Sequence, residues 1–108
     1  MFRKYDADTY RELRPGVQMQ MLCWGALTSM GRFLLSRGSN LPLHAHPHEQ
    51  TGYLVTGHMI FTIDGVEYET TAGDAWCIPG NVEHAVKVLE DSVIVEVFSP
   101  VREDYLPR

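Results

Sequence analysis

Three of the five histidines fall at alternate positions in LPLHAHPHEQTGYLVTG, residues 41–57: His44, His46 and His48. Residues two apart on an extended strand share a face, so His44 and His46 can bring both imidazoles to one ion at about 2.0–2.2 Å. Gln50 shares their parity and Glu49 does not, which points Gln50 inward and Glu49 outward along a regular strand. His84, just beyond Pro79 and Gly80, can add an imidazole from a neighbouring strand. His58, after an expected turn at Gly57, reads as exposed.

A second constellation lies in VIVEVFSPVREDYLPR, where Glu96 and Phe98 share parity and Arg102 follows Ser99 and Pro100. A carboxylate inside an apolar barrel is costly unless paired or used. Alternation allows either face: Glu96 inward, or Val95 and Val97 inward with Glu96 and Arg102 as surface charges.

The elements that must position these residues read as strands. Glycines recur between short segments rich in Val, Ile, Thr, Tyr and Phe, the punctuation of a sandwich or barrel. Asp64 and Gly65 supply the positive-φ pair of a tight hairpin, so residues 59–63 and 66–70 should pair antiparallel. Residues 84–99 should give two strands split by a polar turn at Glu90, Asp91 and Ser92. Residues 6–14 have room for a turn or two of helix before Pro15 and Gly16, although no apolar residue repeats along them. Seven to nine antiparallel strands in a small chain need a closed or two-layered sheet, and a jelly-roll barrel satisfies that need.

At 108 residues and 44% hydrophobic content, the chain fits one domain spanning residues 1–108, with a barrel core near 30–100 and added strands in 1–29. A net charge of −5 without a Lys/Arg cluster argues against a nucleic-acid partner. No apolar stretch reaches the roughly 18 residues of a membrane span. The charged start MFRKYDADTYRELRPG lacks a signal-peptide core, and Cys23 and Cys77 form no CxxC pair, which together suggest the cytoplasm and reduced thiols. Val17–Trp24 is a candidate edge for exchange between two copies, giving a homodimer. Trp24, Tyr53 and Trp76 are candidates either for a cavity wall or for the core.

These residues resemble the cupin family. Its first motif reads G, five residues, HxH, three or four residues, E, six residues, G, and here Gly38, His44, His46, Gln50 and Gly57 stand at those spacings. Its second reads G, five residues, PxG, two residues, H, met by Gly73, Pro79 and His84. The resemblance covers residues 38–98 and implies a double-stranded β-helix, all-β jelly-roll barrel. Gln50 stands where the family has a metal-binding Glu, and Asn81 where it has Gly, a change that a positive φ tolerates. The family spacing does not use His48, which then faces solvent or supports the ligands; Glu49 is the alternative fourth ligand.

Within that family, HPHEQ followed by a carboxylate, Phe and Arg looks like small cupins of pectin and alginate breakdown. These convert ring-form 4,5-unsaturated monouronates into linear keto forms. The resemblance implies a metal held by His44, His46, Gln50 and His84, with Glu96, Phe98 and Arg102 at the reaction end of the cavity. That group has Asp in place of Glu96, and one more methylene moves the acid by roughly an ångström. The implied substrate is a small sugar acid, and the implied cofactor is one divalent transition ion. Three neutral imidazoles and a neutral amide leave that ion's Lewis acidity largely intact, favouring non-redox chemistry, and Ni, Mn, Fe, Co and Zn all accept imidazole. A metal-dependent dioxygenase and a non-catalytic small-ligand binder are the alternatives.

Overall fold

Period-two alternation of buried and open residues, the mark of a strand with one covered face, runs through most of the chain. The computed structural model describes residues 1–107. Its strands are β1 (Arg11–Arg14), β2 (Val17–Trp24), β3 (Ser29–Leu35), β4 (Asn40–His44), β5 (Glu49–Ile63), β6 (Val66–Thr71), β7 (Ala75–Ile78) and β8 (His84–Ser99). One turn of 3-10 helix follows at Glu103–Tyr105. All pairings are antiparallel, in the order β1-β2-β3-β8-β5-β6, with β4 joined to β8 and β7 to β5. The sheet does not close, because β1, β4, β6 and β7 each pair with a single neighbour. Two folded-over layers of this kind make the jelly roll of a cupin. Among the described residues, no helix is long and apolar enough to cross a membrane.

The two long strands create the layers. The first part of β8 pairs with β4 and the second with β3, while β5 pairs first with β7 and then with β6. The chain therefore does not turn at Glu90, Asp91 and Ser92, nor at Gly57, as the sequence suggested. These polar and glycine positions are corners within continuous strands. Register shifts between Leu54 and Met59 bend β5 there. Gly57 has φ 117°, and a Cβ on it would lie 2.1 Å from Ser92 Oγ, so the corner closes only around a glycine.

Other expectations fare differently. Ile63 faces Val66 and Met59 faces Thr70, with Asp64 (φ 51°) and Gly65 (φ 79°) forming the turn, so the hairpin stands as read. Residues 6–14 form no helix; Arg11–Arg14 pairs with β2 through a tight turn at Pro15 and Gly16 (φ 79°). Strand β2 is not an edge, because β1 and β3 flank it. The core between the layers holds Met19, Met21, Phe33, Leu35, Leu54, Met59, Phe61, Ile78, Val86, Ile94 and Phe98.

Candidate metal centre and acid–base cavity

His44 ends β4 and His84 opens β8, and the register sets them opposite one another. His46 lies just past β4, in the loop of residues 45–48, so the regular strand invoked for its parity stops two residues short of it. A local contact restores its place. A Cβ on Gly80 would lie 2.4 Å from the Pro47 carbonyl oxygen, and the Asn81 N–H donates to the His46 carbonyl at 2.7 Å. The turn before His84 is thus packed on the loop that carries His46. Asn81 takes φ 65° there, the conformation for which its substitution for Gly is tolerated.

The three imidazoles converge, with ring centroids 4.2 Å (His44–His84), 5.0 Å (His46–His84) and 5.7 Å (His44–His46) apart. One ring nitrogen from each lies within 4.8 Å of the others, close enough to hold one ion. Each Nδ1 faces a backbone carbonyl: Pro42 at 2.7 Å for His44, His48 at 3.0 Å for His46 and Val82 at 2.9 Å for His84. A carbonyl only accepts, so each Nδ1 carries the proton and each Nε2 keeps its lone pair. Ring orientation fixed by such an outer hydrogen bond is the usual support of a metal-binding histidine. His84 Nε2 is buried without a hydrogen-bond partner, as expected of a nitrogen that serves an ion. The donor set therefore fits a divalent transition metal.

Proton affinities agree with that fit. His46 is held down to about 4, first by burial and then by the charge of Arg102. Burial also lowers His84. Neutral imidazole is the ligating form.

Alternation along β8 decides the face of Glu96: Ser92, Ile94, Glu96 and Phe98 are buried, while Val93, Val95 and Val97 face outward half-buried. Glu96 is only 5% exposed. Gln50 donates its amide N–H to Glu96 Oε2, and the Trp76 indole donates to the same oxygen at 3.1 Å. Burial pushes Glu96 up to about 7, against the lowering influence of Trp76, Gln50 and Arg102. Gln50 is 4% exposed and its side chain also lies beside His46, while Glu49 is exposed on the opposite face. Inward Gln50 and outward Glu49 match the expected faces, although they open β5 and are not a continuation of the strand that carries His44.

Arg102 is 9% exposed and closes the cavity, its guanidinium lying 5.1 Å from the Phe98 ring centre and 4.0 Å from that of Tyr105. His44, His46, Gln50, His84, Glu96, Phe98 and Arg102 thus line one cavity of about 50 Å³. A hollow of about 490 Å³ beneath residues 3–9 is larger but has no histidine in its wall.

His48 contributes its carbonyl to His46, and its ring stays outside the cluster of three. His58 is half-buried and bonds Glu69 at 2.8 Å, less exposed than expected. Of the three aromatic candidates only Trp76 reaches this site; Trp24 packs under Arg3, and Tyr53 is exposed. No sequence signal reports the bond of Trp76 to Glu96, since that contact joins strands 20 residues apart. Tyr105 and Asp104, which lie against Arg102, carry no spacing signal in the sequence.

The cupin domain family (Cupin_2) matches residues 31–99, and the chain belongs to this family. It is 30% identical over 103 residues to the pectin degradation protein KdgF of Dickeya dadantii, spanning 94% of each chain. It is 31% identical over 94 residues to the H2HPP isomerase of Bacillus subtilis, spanning 85% of this chain and 40% of that one. The solved structure of KdgF from Halomonas sp. superposes with a TM-score of 0.86 at 29% identity, covering 90% of each chain.

Proposed function

We propose that this protein is a metal-dependent enzyme that linearises 4,5-unsaturated monouronates, a non-redox isomerisation. The observation that carries the reading is one cavity in which three imidazole Nε2 atoms, a buried carboxyl group and a guanidinium converge. Similarity to two KdgF proteins over most of the chain supports the substrate class.

His44, His46 and His84 would hold one divalent ion, Ni, Mn, Fe, Co or Zn, with Gln50 Oε1 as a fourth donor. When bound, the ion supplies Lewis acidity for ring and hydroxyl oxygens. Arg102 grips the carboxylate of the substrate through paired N–H donors. Phe98 forms the apolar wall beside it.

Glu96 moves the protons. Ring opening takes the proton from the anomeric hydroxyl, forms the C1 carbonyl, breaks the C1–ring oxygen bond and delivers a proton to the released oxygen. The resulting enol passes a proton to C4 and becomes the ketone, so no oxidant or reductant is consumed. A carboxyl group titrating near 7 can both accept and donate under neutral conditions. Because Gln50 and Trp76 both donate to Oε2, Oε1 is the oxygen left to carry the proton. A sugar ring exceeds a cavity of about 50 Å³, so the substrate sits toward the mouth, where His44 is exposed.

The test is to strip the protein of metal, reload it separately with each of the five ions, and follow loss of the conjugated enol-ether absorbance of 4,5-unsaturated galacturonate without oxygen. Metal-dependent loss supports the reading. No loss with any ion overturns it, and iron-dependent oxygen uptake would then identify a dioxygenase.

We further propose a cytoplasmic homodimer acting on a small acidic molecule, with neither nucleic acid nor membrane as partner. The two cysteines are free. The outward face of β2, β3, β5 and β8 carries Leu22, Met30, Leu34, Tyr53, Val55, Val93, Val95 and Val97, a row of apolar side chains suited to a second copy. Light scattering at the mass of one chain would contradict the dimer.

A further inference from the structure

Arg102 is held on four sides. Its backbone N–H donates to the buried Ser29 Oγ at 3.1 Å, and its guanidinium lies against the rings of Phe98 and Tyr105. Asp104 takes one edge of that guanidinium, accepting from Nε at 3.0 Å and from Nη2 at 2.8 Å. Such a two-point pair fixes the rotation of the planar group as well as its position. Asp104 is itself anchored from outside the cavity: its carbonyl accepts from Arg11 Nη2 at 2.6 Å, and the 3-10 turn fixes its backbone. Its side chain is 56% exposed and that of Arg102 only 11%, so the carboxylate holds the solvent side of a guanidinium that faces inward.

We propose that Asp104 is a positioning residue that presets Arg102 as a carboxylate clamp. It occupies the Nε–Nη2 edge and leaves the Nη1 end, together with the second hydrogen of Nη2, for the carboxylate of the substrate. This rests on the proposed role of Arg102 in gripping a sugar acid. An arginine side chain carries much rotamer freedom, and a clamp ordered before the substrate arrives does not lose that freedom on binding. The pattern Arg-x-Asp thus supplies the clamp and its brace from one short turn. Asp104 touches no reacting atom in this arrangement, so its loss should weaken substrate capture more than the chemical step.

The experiment compares metal-loaded wild type with Asp104→Asn and Asp104→Glu. One arm measures kcat and KM on 4,5-unsaturated galacturonate, and the other follows the Arg102 Nε–H signal by ¹⁵N NMR without substrate. Asn keeps the shape but loses the charge-assisted pair, so KM should rise roughly five- to tenfold while kcat changes by less than about twofold, with Glu restoring most of the loss. The Arg102 Nε–H should be protected from exchange in wild type and Asp104→Glu, and lose protection in Asp104→Asn. An unchanged KM, or a fall in KM showing that Asp104 competes with the substrate, overturns the proposal. If wild type turns over no uronate, the functional reading fails and the clamp role with it. Nε–H protection independent of Asp104 overturns the brace in either case.

Discussion

The Trp76 indole donates to Glu96 at 3.1 Å, and it reaches that carboxyl group only because residue 52 has no side chain. Gly52 lies opposite both Glu96 on β8 and Trp76 on β7. A Cβ there would fall 2.2 Å from Trp76 Nε1. Gly52→Ala should therefore push the indole away and cost about 1–3 kcal/mol of stability. Urea unfolding measures the cost, and a variant as stable as wild type would show that the indole shifts freely.

Glu96→Gln retains the volume of the acid and removes the transferable proton. Turnover should fall about 10²–10⁴-fold while the variant still binds one ion per chain. The comparison needs steady-state kinetics beside metal analysis. A variant that remains fully active would place the proton-transfer group elsewhere.

His84→Ala removes the buried, unpartnered Nε2. Wild type should gain thermal stability on metal addition, because an ion bound by the folded form alone stabilises it by mass action. The variant should lose most of that gain. Melting curves with and without metal decide the point, and an equal gain in both would move the ion away from this cluster.

Without metal, the titrating groups of the cavity oppose one another. Glu96 is raised to about 7, so between its ordinary value of 4.5 and 7 the folded protein holds a proton that the unfolded chain releases. Stability therefore falls as pH rises through that window. His46 is lowered to about 4 from 6.5, so between these values the unfolded chain binds the extra proton, and stability rises with pH; lowered His84 acts in the same direction. Glu96→Gln removes only the first effect, so the stability of the metal-free variant should rise more steeply from pH 4.5 to 6.5 than that of wild type. Urea unfolding across that range tests this, and parallel profiles would contradict it.

Much of the site was legible because strand alternation is a local rule. The expected faces of Gln50 and Glu49 match the structure, although a loop at residues 45–48 interrupts the strand on which they are counted, and the turn chemistry of Asp64–Gly65, equally local, marked the hairpin. The same rule was silent on the face of Glu96, since Val95 and Val97 would also serve as core residues; pairing of β8 with β3 and β5 decides that. Glu90, Asp91 and Ser92 mimic a turn because a strand rounding a corner exposes Glu90 and Asp91 just as a loop does, while the buried Ser92 hydroxyl bonds within the corner to the His58 N–H and the Glu90 carbonyl. Residues 11–14 gave no strand signal, since their place depends on Val17 and Met19 across a hairpin. The contact of Trp76 with Glu96 is tertiary, and no spacing rule reports it; the grip of Asp104 on Arg102 is local but depends on the 3-10 turn that follows β8.

The central claim is tested most directly by anaerobic ¹H NMR of 4,5-unsaturated galacturonate mixed with metal-loaded protein, beside a chelator-treated control. The account predicts that the C4 vinyl proton disappears and a linear keto acid accumulates only in the metal-loaded sample, with no oxygen present. A vinyl signal that persists at the control rate, with metal shown to be bound, would contradict it.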